Sequence, residues 1–290
     1  MKLVDQCFDA LLFDCDGVIA ETERDAHRIT FNQAFAAKGV KAEWGVEEYG
    51  ELLKIGGGKE RMTHYFDKVG WPSQVGPSEG ERKSFVQDLH LLKTAKFQGL
   101  VESGAVPLRP GVSRLVDDAF ASGIKVAVCS TSSVDAVTTI VRTLLGEERL
   151  AKMKIFAGDM VSRKKPAPDV YLLGASTLGV EPARCWVVED SEIGLKAAKA
   201  AGMRCVVTKS IYTAQEDFAN ADVCIDNLDR GRDGAITAVY LNYLAKGGYK
   251  KPTAEETNAN SNMFGAPQDL GKMFRKIADG KMGGPMGGLM

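Results

Sequence analysis

Four places in the chain set reactive side chains at the end of an apolar run. In ALLFDCDG, two carboxylates, Asp14 and Asp16, flank a single cysteine directly after a strand-like segment and before a glycine. Burying two carboxylates side by side is costly unless a cation or a reaction uses them. An aspartate at a strand end can attack phosphorus and carry the phosphoryl group as an aspartyl phosphate. A second one across a tight turn reaches the leaving oxygen as general acid and later activates water. A hard cation such as Mg²⁺ suits oxygen ligands of this kind.

The other three places complete such a site. In KVAVCSTSS, Ser130 and Thr131, with Ser132 beside them, offer hydroxyls and backbone N–H groups ahead of a helix, the makings of a phosphate cradle. In SRKKPAPDVY, Lys165 precedes a proline, which predicts an extended backbone at a helix start and a point charge for the transferring phosphoryl group. In RCWVVEDSEIG, Glu189 and Asp190 end another apolar run, Asp190 as a further metal ligand and Glu189 in the shell around the metal. Each has an ordinary alternative when taken alone: a turn, an N-cap, a solvated charge, a pair of acids at a helix start. Four together, each closing an apolar strand, point to one site.

The elements that must carry these groups are legible. ALLFD, KVAVCS, KIFAG, RCWVVED, MRCVVTK and ADVCI read as strands, nearly continuous in Val, Ile, Leu and Cys, as expected of strands covered on both faces. Helical periods over roughly 112–122, 133–145, 168–178 and 191–201 alternate with them. The class is therefore α/β, a doubly wound parallel sheet with right-handed crossovers, and ligands are expected beyond the strand carboxyl ends. Residues 20–104 break the rhythm with helices near 23–38, 46–54, 59–70 and 80–102, an all-helical insert after the first strand. The sheet domain is expected to comprise 1–19 and 105–245. The stretch 246–290 carries seven Lys/Arg against four Asp/Glu and five of the ten methionines, which predicts a mostly disordered tail with at most a short helix near 268–278.

The net charge of −1 gives no global field for nucleic acid or an anionic membrane. The six cysteines form no CxxC pair and read as reduced residues, mostly in the core. No apolar stretch approaches a membrane span, and the N-terminus shows neither a signal peptide nor a transit segment.

DCDGV, CST, KKP and ED, in this order, resemble the four motifs of the haloacid dehalogenase superfamily, whose members are mostly Mg²⁺-dependent phosphatases. The resemblance spans about residues 5–244. It implies a Rossmann-like core and a small helical cap that closes over the substrate. It assigns Asp14 as nucleophile, Asp16 as acid/base, and Ser130 and Lys165 as phosphoryl binders, with Mg²⁺ on Asp14, the Asp16 backbone carbonyl and Asp190. Longer stretches, LLKIGGGKERM and FAGDMVSRKKPAPDVYLL among them, are similar to the CbbY family, in particular its form in photosynthetic eukaryotes. That likeness implies removal of the 1-phosphate from xylulose 1,5-bisphosphate, an inhibitor of rubisco, and a location in the plastid stroma, or in cytoplasm for a prokaryotic chain. The same motifs also fit a β-phosphoglucomutase-like transfer or a broader sugar-phosphate phosphatase.

A bisphosphate needs a second anion site, and KIGGGKER supplies one, with Lys54, Lys59 and Arg61 around glycines that include Gly57 and Gly58. Without the resemblance the same loop reads as a Gly-rich linker with solvated charges. Glu21, at the cap entry, is placed to hold substrate hydroxyls. His27 either does likewise or lies on a helix surface, while His64 and His90 read as structural. Arg109, at the return from the insert, either contacts substrate or pairs with a nearby acid. The expected partner is a small sugar bisphosphate acted on by a monomer, with no nucleic acid, membrane or obligate protein partner.

Overall fold

The structure is a computed structural model that describes residues 5–55, 57–229 and 235–248. The tail prediction lies outside the described residues. Six strands, β1 (Ala10–Phe13), β2 (Lys125–Cys129), β3 (Lys154–Phe156), β4 (Cys185–Glu189), β5 (Arg204–Thr208) and β6 (Val223–Ile225), form one sheet in the order β3-β2-β1-β4-β5-β6. Every pairing is parallel.

The strand composition explains the layers. Leu11, Phe13, Val126, Val128, Trp186, Val188 and Val206 lie in one apolar cluster; Ala10, Leu12, Ala127, Cys129, Cys185, Val187, Cys205 and Val207 lie in another. The alternation follows the two-residue period of a strand, so an unbroken apolar run serves both faces. Helices α5 (Val112–Ala121), α6 (Val134–Leu145) and α10 (Ala238–Ala245) cover the first face, and α8 (Asp169–Leu178) and α9 (Glu192–Ala200) the second. The short helix α7 (Glu147–Lys152) and helix α10 have no counterpart in the sequence expectation.

Between β1 and β2 stand α1 (Arg28–Ala37), α2 (Val46–Leu52), α3 (Gly58–Val69) and α4 (Glu79–Glu102), with a π-helical turn (Glu23–His27) leading into α1. An aromatic core of Phe31, Phe35, Trp44, Tyr49 and Phe66 holds them. A capping box between Ser78 and Glu81 starts α4. The insert is not sealed off at its expected edges: Ala26, Phe97 and Val101 belong to the sheet's first apolar cluster, so the second half of α4 packs on the sheet unit. All cysteines are free of disulfides; four are buried, Cys7 is partly exposed, and Cys224 is exposed.

Candidate active site

The chain runs β1, β2, β3 to one side of the sheet and then returns to lay β4 against the other side of β1. Their carboxyl ends therefore form the switch point where a doubly wound sheet opens a crevice. The β1–β4 ladder continues past the strand, with Asp14 N donating to Val188 O at 2.9 Å. This places Asp14 beside Glu189 and Asp190, about 175 residues away in sequence.

Lys165 joins them. Its Nζ lies 2.5 Å from Asp14 Oδ1 and 2.6 Å from Glu189 Oε1, and 4.8 Å from the centre of the Tyr171 ring. It does not sit at a helix start as expected. Its peptide bond to Pro166 is cis, and α8 begins only at Asp169. Glu189 is wholly buried, and both its oxygens are engaged. Oε1 also accepts from Tyr171 OH at 2.5 Å, and Oε2 accepts from Asp190 N at 3.1 Å and Ser191 Oγ at 3.3 Å. So Glu189 orients Lys165 and the Asp190 backbone. Tyr171 carried no recognisable signal, being one aromatic residue of a helix.

Carboxylate oxygens of Asp14, Glu189 and Asp190, all buried, lie within 4.8 Å of one another. Burial pushes the Asp14 carboxyl up to about 8, with Glu189 and Asp16 adding to the rise and Lys165 opposing it. Burial, Glu189 and Asp14 likewise drive Asp190 well above the usual carboxylate range. For Lys165 burial favours the neutral amine, but Asp14 and Glu189 outweigh it and hold the ammonium. A hard oxygen donor set with this much unrelieved repulsion fits a divalent cation. Gly17 makes room for it: at φ +81° any Cβ would lie 2.0 Å from Asp190 Oδ2.

Asp16 faces different neighbours. Oδ1 accepts from Thr22 Oγ1 at 2.5 Å and meets His27 Nε2 at 3.2 Å; Oδ2 accepts from Ser132 Oγ at 2.7 Å. Burial works to raise this carboxyl, but the bonds from His27, Thr22 and Ser132 together hold it well below the usual range. Two aspartates two residues apart are thus driven in opposite directions: Asp14 needs a cation beside it to stay ionised at neutral pH, whereas the Asp16 carboxylate is stabilised by its three donors. His27 is not a helix-surface residue. It stacks on Phe97 at 4.3 Å, and its Nδ1 lies 2.6 Å from Nζ of the buried Lys93 on α4. Neither Thr22 nor Lys93 was predicted, and no local pattern marks either.

The loop after β2 also differs in detail. Ser133, not Ser130, caps α6. Ser130 is buried and accepts from Ser132 N at 3.0 Å, and Ser132 spends its hydroxyl on Asp16. Thr131 is partly exposed above them. In the glycine loop, Lys59 and Gly57 are exposed, whereas Gly58 opens α3 against Phe31 and His90. Lys54 is also exposed and pairs with Glu51 at 2.5 Å. Arg61 departs from the anion-site role expected of it. It is buried and donates to Leu52 O at 3.0 Å, Tyr49 OH at 2.9 Å and Ile55 O at 3.3 Å, bracing the loop from within. Glu21 stands 3.5 Å from Arg109 Nε, the pairing with an acid that was one of the two readings of Arg109.

A strand-end aspartate beside a buried lysine and an acid cluster, with a second aspartate held ionised nearby, defines a phosphoric monoester hydrolase. The model of the haloacid dehalogenase-like hydrolase family matches residues 8–202. A CBBY-like protein of Arabidopsis thaliana is 61% identical over 217 residues, 75% of this chain and 68% of that protein. The protein CbbY of Rhodobacter capsulatus is 42% identical over 228 residues, 78% and 96% of the two chains. A crystal structure of a CbbY mutant from Rhodobacter sphaeroides in complex with xylulose 1,5-bisphosphate aligns with a TM-score of 0.67 at 41% identity, covering 76% of this chain and 94% of that one. The chain belongs to the CbbY-type phosphatases of the haloacid dehalogenase-like hydrolase family.

Proposed function

We propose that the protein is a Mg²⁺-dependent phosphatase that removes the 1-phosphate of xylulose 1,5-bisphosphate and leaves xylulose 5-phosphate. The observation that carries this reading is the 41% identity, over 76% of this chain, to a CbbY structure that holds that bisphosphate. The likeness to the Arabidopsis protein supports a plastid setting. In this reading residues 20–104 are a cap over a core of 1–19 and 105–245.

Asp14 attacks phosphorus in line. The P–O bond to the sugar breaks as the Asp14–phosphoryl bond forms, and Asp16 passes to the leaving sugar oxygen the proton it took from water in the hydrolytic half of the preceding turnover. Asp16 then takes a proton from water, whose oxygen displaces the phosphoryl group and restores Asp14. Thr22, Ser132 and His27 hold the Asp16 carboxylate aimed at the cleft throughout. Lys165 offsets charge on Asp14 and the phosphoryl oxygens, while Ser130 and Thr131 line the cradle. Asp14 and Asp190 would hold Mg²⁺, with the Asp16 carbonyl as a further ligand and Glu189 behind them, and the bound ion would supply Lewis-acid neutralisation of phosphate charge. Lys59, with Lys54, Gly57 and Gly58, meets the distal phosphate, and Glu21 faces the sugar, while His27 is taken up between Asp16 and Lys93.

Phosphate release from xylulose and ribulose 1,5-bisphosphates, each with Mg²⁺ and with EDTA, tests this. Fast, metal-dependent release from the xylulose compound alone is the expected result. Comparable release from both, or rearranged sugar phosphate without free phosphate, as a mutase would give, sinks it.

A further inference from the structure

Arg109 lies outside the nucleophile loop and the acid cluster, yet its side chain meets six polar groups on four separate segments, the Thr208 hydroxyl at 3.4 Å among them. It is 8% exposed. Nε stands 3.5 Å from Glu21 Oε1, in the crossing from sheet to insert. One terminal nitrogen donates to the carbonyl of Gly17, in the acid turn, and at 3.2 Å to that of Thr208, the last residue of β5. The other donates to the carbonyls of Lys209 at 2.7 Å and Asp226 at 2.9 Å, just past β5 and β6.

The backbone around it ties the same parts. Arg109 N donates to Ile19 O at 2.8 Å, and Ala20 bridges Leu108 in antiparallel fashion, so the two crossings between sheet and insert run side by side. The loop after β5 also reaches the insert, where the Tyr212 ring lies 5.9 Å from that of Tyr49. A planar fork with five N–H groups can serve carbonyls arranged around it; a lysine, donating from one point, cannot. A cation this buried also needs an anionic partner. Here the partner is Glu21, whose side chain is still 18% exposed. Burial raises the Glu21 carboxyl, and the Arg109 guanidinium is the strongest influence opposing that rise, favouring the ionised form that accepts hydrogen bonds from hydroxyls.

We propose that Arg109 is a positioning residue for phosphoester hydrolysis: one guanidinium fixes the Asp16–Gly17 turn and the Glu21 carboxylate to the carboxyl ends of β5 and β6, so that Glu21 meets substrate hydroxyls in a set orientation. The inference rests on Glu21 as a contact for the sugar. Both buried geometry and charge act through Glu21, so the two residues form one unit.

A double-mutant cycle of Arg109→Lys, Glu21→Gln and both together tests it, with each protein read on xylulose 1,5-bisphosphate and on p-nitrophenyl phosphate and melted in parallel. Each single change is expected to lower kcat/KM on the bisphosphate about 100-fold, the order of loss that a misplacement of about 1 Å produces. The loss on the aryl ester, which has no hydroxyls, is expected to be severalfold smaller. The double variant should fall within about threefold of the worse single one, as residues acting as a unit do. Losses that multiply, or equal losses on both esters, overturn the proposal and leave Arg109 a scaffold arginine. Should Arg109→Lys fail to fold, Glu21→Asp leaves the buried cation in place and withdraws the carboxylate from its position; turnover of the bisphosphate like that of the wild type overturns the proposal. If the wild type cleaves the aryl ester but not xylulose 1,5-bisphosphate, the substrate reading alone fails. The cycle is then read on ribulose 1,5-bisphosphate or glucose 1-phosphate, whichever the wild type hydrolyses faster, with the same deciding outcomes.

Discussion

Lys93 Nζ, on the longest helix of the insert, stands 2.6 Å from Nδ1 of His27, a residue 66 positions earlier in the chain. An ammonium has only donors, so Nδ1 accepts and the imidazole's Nε2 carries the proton towards Asp16 Oδ1. Lys93 itself is enclosed by the rings of Phe31 and Phe97, at 5.0 and 4.8 Å. Replacing it with Met keeps the volume and removes the donor. The Lys93→Met enzyme should lose about tenfold or more in kcat with KM little changed, since only the aim and tautomer at the acid/base are affected. A fall in kcat matched by general loss of folded protein would count against this.

The fate of Asp14 separates function from stability. Burial and neighbouring carboxylates raise its carboxyl to about 8. Such a group holds more protons folded than unfolded, so without metal its contribution fades as pH rises from about 4 towards 8. Asp14→Asn should abolish turnover, by about four orders of magnitude or more, yet melt at a higher temperature than the wild type at pH 7.5 in EDTA. It should also gain less than the wild type on adding Mg²⁺. A lower melting point in EDTA would show that the carboxylate is not under strain there.

Gly17 supports a sharper metal test. A methyl group there meets the Asp190 carboxylate at 2.0 Å, and φ +81° costs a non-glycine residue about 1–2 kcal/mol. Gly17→Ala should raise the Mg²⁺ concentration for half-maximal activity at least about tenfold, because a displaced ligand weakens the site. Titration calorimetry with Mg²⁺ checks the same shift without turnover.

The two cations of the glycine loop should behave differently. Arg61 braces three oxygens inside the insert, so Arg61→Ala should cost about 3 kcal/mol of stability. Lys59 is exposed, and Lys59→Ala should melt like the wild type but raise KM for the bisphosphate far more than for a generic monophosphate ester. Equal changes on both substrates would remove the distal phosphate from this loop.

His90 predicts an acid dependence. Burial, with Lys93 and Lys59 adding to it, lowers its pKa to about 4 from 6.5. Between these values the unfolded chain binds a proton that the folded one does not, so this contribution to stability falls as pH falls from 6.5 to 4. Comparing wild type and His90→Gln by denaturant titration across that range should show a shallower acid loss in the variant; parallel curves would refute it.

Much of this architecture is legible in the sequence. The strands are, because ALLF, VAVC and CWVVE are buried on both faces and must be apolar throughout. The insert helices are, because their periods and caps are local. Helices α7 and α10 are not: the first is six residues of mostly charged side chains, and the second is apolar nearly all round, so neither shows an amphipathic stripe.

The site divides in the same way. Asp14, Asp16, Lys165, Glu189 and Asp190 announced themselves because the chemistry sits at strand ends, and a parallel sheet brings all its carboxyl ends to one edge. Sequence alone therefore picked out the carboxylates and the lysine that the fold gathers at that edge, and the class of enzyme. Only the tertiary structure decided that His27 and Lys93 flank Asp16, that Glu189 orients Lys165 with Tyr171, that Arg61 is spent inside the insert, and that Arg109 joins four segments. Those roles depend on contacts spanning from about ten to more than a hundred residues, and no spacing along the chain encodes a distance that only packing sets.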